Sequence, residues 1–287
     1  VIAIFVDYNQ VVIASLFASI GNHHNVDLDE NLIRHMFLNS IRANKKKFCK
    51  DYGDIVICAD SQDVWRRDFY PYYKANRRKA KGDSDLDWKA LFEIMDKIRN
   101  ELIDYFPYKV LKVDRTEADD IIGVLGHHLG TELNTGSEKH LVLSADGDYV
   151  QLQKFANFDQ YDPIRKRWLK HANPELYLAD HIIRGDTGDG VPNILSQDNC
   201  LAVGIRQKAM TQKRVALLMK GEEHMDEETK LRYYRNKKMI DLSQVPQEYV
   251  DAILIQWEKP SKVGREKLFN FFIQKKLKNL ITDIQDF

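Results

Sequence analysis

Three short apolar runs in this chain each end on an aspartate: Ile2-Ala3-Ile4-Phe5-Val6-Asp7, Ile55-Val56-Ile57-Cys58-Ala59-Asp60 and His140-Leu141-Val142-Leu143-Ser144-Ala145-Asp146. A short continuous apolar run, without polar alternation, suits a strand buried on both faces. Helix-period segments lie between the runs. One spans 29–48 through Leu32, Ile33, Met36, Phe37 and Ile41; a second covers about 87–106 and stops before Pro107; a third covers about 117–130. Tyr108–Val113 predicts a further strand. Strands alternating with helices predict an α/β fold with a central, mostly parallel sheet flanked by helices. Ligands of such sheets bind beyond the carboxyl ends of the strands. Asp7, Asp60 and Asp146 are therefore predicted to meet at one edge, with Asp148 two residues further on. One acid at a strand end is ordinary turn chemistry; three on one edge need another reason.

A second concentration of acid lies in Arg115-Thr116-Glu117-Ala118-Asp119-Asp120-Ile121-Ile122-Gly123. Thr116 followed three residues later by an acid reads as a capping box, and acids in a first helical turn suit the helix dipole. This helix also follows a strand, so its N-terminus is predicted to face the acidic edge. Glu117 and Asp120, three apart, share a helix face; Asp119 contributes only if the helix end points into the site. Asp186 and Asp189, in the loop Gly185-Asp186-Thr187-Gly188-Asp189-Gly190-Val191-Pro192, bring the candidates to nine. After about residue 170 the pattern changes to short helical stretches, which predicts an α/β part over 1–170 and a helical part over 171–287.

The 287 residues are 44% hydrophobic and 30% charged, a globular composition. No apolar run approaches the roughly 18 residues of a membrane span. The opening apolar residues are too few for a signal sequence and lack a basic flank. Cys49, Cys58 and Cys200 show neither a disulfide framework nor zinc spacing, and a reducing, cytoplasmic setting is expected. The pairs His23-His24 and His127-His128 lack ligand partners at metal spacing and read as surface or helix-face residues. The 43 basic residues balance the 43 acidic ones, but the balance hides segregation. Between Val64 and Lys81 seven basic residues (Arg66, Arg67, Lys74, Arg77, Arg78, Lys79, Lys81) face one acid, Asp68. Such a block marks an anionic partner.

Carboxylates that share a crevice repel by about 4 kcal/mol at 4 Å and an effective dielectric of 20. They protonate in part or recruit cations. Oxygen-only donors favour hard ions, Mg²⁺ or Mn²⁺, and since Mg²⁺ uses few carboxylates, this many suggest two ions. Two ions can clamp the attacking and leaving oxygens of a phosphodiester, while a basic neighbour holds the backbone. The chain has no Gly-x-x-x-x-Gly-Lys-Ser/Thr loop, no Gly-x-Gly-x-x-Gly after a strand and no Gly-x-Ser-x-Gly elbow, which argues against a nucleoside triphosphatase and a serine hydrolase.

These residues carry a resemblance. Phe5-Val6-Asp7, Cys58-Ala59-Asp60, Tyr72-Tyr73-Lys74-Ala75-Asn76-Arg77, Glu117-Ala118-Asp119-Asp120, Asp146-Gly147-Asp148 with Gln151-Leu152, and Gly185-Asp186 with Asp189 resemble the motifs of the flap endonuclease and 5′-3′ exonuclease family. The nearest likeness is to its bacteriophage ribonuclease H branch. The resemblance implies a PIN-like nuclease core, a basic arch or clamp near 62–86, and a helix–three-turn–helix element in the carboxy-terminal region. It implies that Asp7, Asp60, Glu117, Asp119 and Asp146 serve a first metal and Asp148, Asp186 and Asp189 a second, with Asp120 joining either or acting through water. Lys74 would reach the scissile phosphate, Tyr73 would stack on a base or sugar, and Arg66, Arg67, Arg77 and Arg78 would grip the threaded strand. Tyrosines interleaved with lysine and arginine suit single-strand binding.

Where many relatives continue Pro-Gly-Val-x-Gly-Ile-Gly-x-Lys-Thr-Ala, this chain reads Pro192-Asn193-Ile194-Leu195 and then a longer segment before Gly204-Ile205-Arg206-Gln207-Lys208. The lost glycines count against a K⁺ site there, while Lys208, Lys213 and Arg214 retain the charge to bind duplex. The implied activity is removal of RNA primers and 5′ flaps from branched or flapped DNA and RNA–DNA hybrids. The implied partners are a replication clamp and a single-strand-binding protein. The expected state is a monomer in the cytoplasm, that of an infected bacterium if the chain is phage-encoded. The rival readings are a small single-strand ribonuclease, a non-catalytic branched-DNA-binding protein and a small-phosphate hydrolase. The Gly-Asp-x-x-Asp loop, the full set of nine acids and the Tyr-Lys-Ala-Asn-Arg segment, respectively, argue against them.

Overall fold

The computed structural model describes residues 2–20, 28–82, 84, 86–131, 138–261 and 264–287, so His23-His24 and the acids flanking Ser84 lie outside the described residues. Six strands, β1 (Ala3–Asp7), β2 (Asp54–Cys58), β3 (Lys109–Leu111), β4 (His140–Leu143), β5 (Phe158–Asp162) and β6 (Arg167–Leu169), form one sheet in the order β3-β2-β1-β4-β5-β6. All pairings are parallel except β5–β6. The strand order reverses at β1, which has β2 on one side and β4 on the other. The crevice of an open parallel sheet forms at such a reversal.

The unbroken apolar character of the runs has a direct cause. Ile4, Val6, Ile55, Ile57, Leu141 and Leu143 enter one core, while Ala3, Phe5, Val56, Cys58 and Val142 enter the other. Successive side chains leave a strand on opposite faces, and here both faces are covered. On the first face lie α1 (Tyr8–Ile20), α2 (Glu30–Tyr52) and, after the basic segment's α3 (Arg66–Phe69) and α4 (Ala75–Gly82), α5 (Trp88–Tyr105). On the second lies α6 (Ala118–Leu129). Side-chain caps start α2 and α5. Asp29 accepts from the amides of Asn31 and Leu32 at 2.7 and 3.1 Å, and Asp87 from that of Ala90 at 2.9 Å.

Among the described residues no strand follows β6. The chain continues through α7 (Pro174–Arg184), α8 (Gln212–Leu218), α9 (Glu227–Ile240), α10 (Gln247–Glu258), α11 (Leu268–Gln274) and α12 (Lys278–Ile281). This segment supplies both cores rather than standing apart. Leu268, Phe271, Phe272, Leu280 and Phe287 pack with the first, and Ile253 and Trp257 with the second. No helix among the described residues is long and apolar enough to cross a membrane.

Candidate metal centre and nucleic-acid cleft

Asp7 closes β1 and opens α1. Its Oδ1 accepts from the Gln10 amide at 3.1 Å, and its Oδ2 accepts from the Tyr149 and Ser144 hydroxyls, each at 3.3 Å. Asp60 lies two residues beyond β2 and accepts from the Ala118 amide at 2.8 Å, which ties that strand end to the start of α6. Asp146 lies beyond β4 and caps the 3-10 helix Gly147–Lys154 through the Asp148 amide at 3.0 Å. Asp119 accepts from the Tyr149 hydroxyl at 2.6 Å. Asp7, Asp60, Glu117, Asp119, Asp146 and Asp189 line one cavity of about 960 Å³.

The three carboxylates of 117–120 divide their roles. Glu117, rather than Thr116, is the N-cap, and the third helical residue, Asp120, accepts from the Glu117 amide at 2.9 Å. Asp120 is fully buried and does not line the cavity. Its Oδ2 also accepts from the Trp65 indole at 3.1 Å, and its Oδ1 lies 2.8 Å from the Arg66 guanidinium. This corrects the expectation that Asp120 joins a metal: its oxygens are committed to capping and to a buried ion pair. Because the helix end points into the cavity, Asp119, two residues from Glu117, also reaches it.

The same contacts revise the basic block. Arg66 is buried, bonded to Asp120 and to the Met239 carbonyl at 3.0 Å, so it grips no threaded strand. Tyr73 is also buried, and its hydroxyl donates to Glu117 at 2.7 Å and Asp189 at 2.9 Å, so its ring offers no stacking face. Lys74 has a left-handed φ of 54° and sends its ammonium to Glu117 at 2.6 Å and Asp189 at 3.5 Å. Arg77 meets Asp189 at 2.5 Å. Arg67, Lys74, Arg77, Arg78 and Lys81 line the same cavity as the acids, and its wall continues along α1 and α5 to Phe17 and Phe92. Gly190 (φ 75°) permits the loop to meet this segment: a Cβ there would stand 3.0 Å from the Tyr72 carbonyl and 3.1 Å from the Asn76 side chain.

Electrostatics separates the acids. Burial, with Asp60 and Asp146 nearby, pushes Asp7 up to about 7. Burial and neighbouring carboxylates likewise raise Asp60 and Asp146 to about 6, and push Asp119 well above the usual range. Glu117 is just as deeply buried, but Lys74 and Arg66 overcome that burial and hold it down to about 2.

Asp148 and Asp186 lie outside this cavity's lining and meet His181 from the last turn of α7. Its Nε2 is 3.2 Å from Asp148 and 3.7 Å from Asp186. Burial opposes its charge, but these two carboxylates raise its pKa to about 10. The Asp189 amide donates to Asp186 Oδ1 at 3.1 Å, which joins the two groups. Lys208, Lys213 and Arg214 are exposed and do not line the acidic cavity. Lys213 and Arg214 flank a shallow surface depression with Thr211, Leu217 and Lys220. His127 packs edge-on against Phe155 at 5.3 Å.

Sequence reasoning missed Tyr149, Ser144, Trp65 and His181. Tyr149 directly follows Asp148 and Ser144 lies between β4 and Asp146, so nearness to the acids was their only signal. His181 lies four residues before Gly185, where helical spacing puts it over the loop that carries Asp186. Buried carboxylates with raised pKa and no cation paired to them suit a hard divalent ion in donor chemistry; among the described residues no three of these cavity carboxylates bring oxygens within 4.8 Å of one another, so water would complete such an ion's shell.

Residues 3–175 match the family model described as 5′-3′ exonuclease, N-terminal resolvase-like domain, and residues 172–287 match T4 RNase H, C terminal. The chain is 31% identical to the ribonuclease H of Enterobacteria phage T4, over 98% of this chain and 94% of that protein. It is 34% identical to a 5′-3′ exonuclease of Buchnera aphidicola over 34% of this chain and 30% of that one. In structure it resembles a T5 5′-exonuclease with bound divalent metal ions (zinc), at TM-score 0.58 and 17% identity, covering 91% of this chain and 99% of that one. It also resembles the T5 D15 protein co-crystallised with metal ions, at TM-score 0.55 and 16% identity, covering 99% and 98%. An acidic edge on a parallel sheet, a basic segment across from it and family matches over both parts of the chain lead to one assignment: this chain belongs to the 5′-3′ exonuclease family, with the T4 RNase H type of carboxy-terminal region.

Proposed function

We propose that the chain is a divalent-metal-dependent 5′-3′ exonuclease and flap endonuclease that uses two Mg²⁺ or Mn²⁺ ions. On this reading it removes RNA primers and 5′ flaps from branched DNA and RNA–DNA hybrids. The single observation that carries this reading is the set Asp7, Asp60, Asp119 and Asp146, lining one cavity with raised pKa values and no paired cation, together with the basic segment. These four would hold the first ion, and Asp148 with Asp186 the second, with Asp189 between them through its bond to Asp186. The bound ions would supply Lewis-acid stabilisation of the charge that develops on the phosphodiester oxygens.

The chain's own groups do the rest. Tyr149 fixes one oxygen each of Asp7 and Asp119, which keeps two ligands in register. Lys74 is within reach of a phosphate that enters between Glu117 and Asp189, and exchanging one anion for another leaves its charge matched. Arg67, Arg78 and Lys81 would neutralise the backbone of the strand in the cavity, and Lys208, Lys213 and Arg214 would bind duplex phosphates, which their exposure supports. Loss of the 3′ oxygen leaves a 5′ phosphate and a 3′ hydroxyl.

The test is a 5′-labelled flap DNA incubated with Mg²⁺, with EDTA and with Asp146→Asn. Cutting near the flap junction that needs metal and disappears in the variant is expected. Tight binding without cutting under any divalent ion would leave a non-catalytic branched-DNA-binding protein.

A further inference from the structure

Assigning Asp148 and Asp186 to a metal leaves His181 beside them without a role. Among the described residues, Asp148, His181 and Asp186 are the one group of three whose potential ligand atoms all lie within 4.8 Å of one another. The three come from separate segments: the start of the 3-10 helix, the last turn of α7 and the loop after it. His181 Nε2 is shielded from solvent and points between the two carboxylates, at 3.2 and 3.7 Å, without an aligned hydrogen bond to either. With the ring charged this is an ion pair to both carboxylates; with the ring neutral the same three groups converge on one point that a cation could occupy in the proton's place.

The ring is also held in place. Tyr177, one turn earlier on α7, stacks on it with centroids 5.8 Å apart and planes 8° from parallel. Gly147, between Asp146 and Asp148, leaves the space that the Tyr177 hydroxyl occupies, since a Cβ there would stand 2.5 Å from it. The glycine of the Asp-Gly-Asp turn thus lets α7 approach closely enough to bring an imidazole to the second acid pair.

Resting on the cleavage reading above, we propose that His181 Nε2 is a direct ligand of the divalent cation held by Asp148 and Asp186. That ion then has a mixed nitrogen–oxygen shell, while the ion among Asp7, Asp60, Asp119 and Asp146 has oxygen donors only. Imidazole favours later first-row ions over Mg²⁺ and Mn²⁺, so the two positions differ in preference: oxygen-only for Mg²⁺ or Mn²⁺, mixed for Co²⁺ or Zn²⁺.

The experiment is pulsed electron paramagnetic resonance of the full chain loaded with Mn²⁺ in the absence of DNA, in natural-abundance and ¹⁵N-histidine-labelled protein, beside His181→Gln. The expected result is a histidine nitrogen coupling on part of the bound Mn²⁺ that changes on labelling without any mutation and disappears in His181→Gln. Mn²⁺ affinity at that position should fall at least about tenfold in the variant. Bound Mn²⁺ without nitrogen coupling, or coupling that persists in His181→Gln, would overturn the proposal. If the same Mn²⁺-loaded protein still cuts flap DNA, only this ligand assignment has failed. If it binds no Mn²⁺ and cuts nothing, the cleavage reading has failed as well.

Discussion

Glu117 and Asp7 lie on the walls of the same cavity and are both buried, yet their carboxyls are held at about 2 and about 7. The difference is their company. Lys74 and Arg66 surround Glu117, while Asp7 has two hydroxyls, an amide and further carboxylates around it. The contacts divide the whole acid set in the same way, although burial still raises Asp120 and Asp189 despite the cations beside them. Glu117, Asp120 and Asp189 have cations of the basic segment against them. Asp7, Asp60, Asp119 and Asp146 have none in contact and shift upward together. A count of carboxylates therefore overstates the metal site. The unpaired ones need an ion from outside, and the paired ones hold the arch segment to the sheet edge.

The sharpest break of this comparison is Asp146→Asn. Flap cutting should fall by about 10⁴-fold, roughly 5.5 kcal/mol of transition-state stabilisation, with the melting temperature unchanged or raised, as gel assay and calorimetry would read. Arg66→Met should do the opposite. Leaving Asp120 buried and unpaired costs about 3–5 kcal/mol of stability, and an added Asp120→Leu should recover most of it in denaturant titrations.

Proton linkage separates the two sets next. A carboxyl raised to about 6 or 7 gives stability that is full below its unfolded value near 4 and is lost as pH rises through 6–7. Glu117, lowered to about 2, gives stability that is present above its ordinary value and lost only as pH falls through 2. The stabilisation that Mg²⁺ brings should therefore grow by about 2 kcal/mol from pH 5 to pH 8 in thermal melts, and a flat profile would contradict the division. The smallest effect is expected for Gly190→Ala. Its left-handed backbone and the nearby Tyr72 carbonyl should cost about 1–2 kcal/mol and loosen the arch base, which a raised KM for flap substrate would report.

The parallel sheet was legible because three double-faced strands leave unbroken apolar runs, and the acids at their ends marked the working edge. Helix α1 was not identified: Val11-Val12-Ile13 is a β-branched run, and the turn from β1 into α1 has no loop residues to announce it. The short pair β5 and β6 also passed unread. Phe-Asp-Gln-Tyr-Asp alternates too weakly, and Gln160 is buried by bonding backbone carbonyls rather than by apolar character. Within the site, residue type showed that acids gather but not which would find cations. Arg66 and Arg67 are neighbours of the same type, and only tertiary packing puts the first under Asp120 and the second at the cavity.

Asp119 and Asp120 give the most direct test, since they are adjacent, chemically identical and assigned to opposite sets. Mn²⁺ binding would be followed by calorimetry in the parent chain, Asp119→Asn and Asp120→Asn, with folding checked by circular dichroism. The account predicts that Asp119→Asn loses cation affinity and keeps its melting temperature, while Asp120→Asn keeps affinity and melts lower. Equal loss of affinity in both, or none in Asp119→Asn, would contradict it.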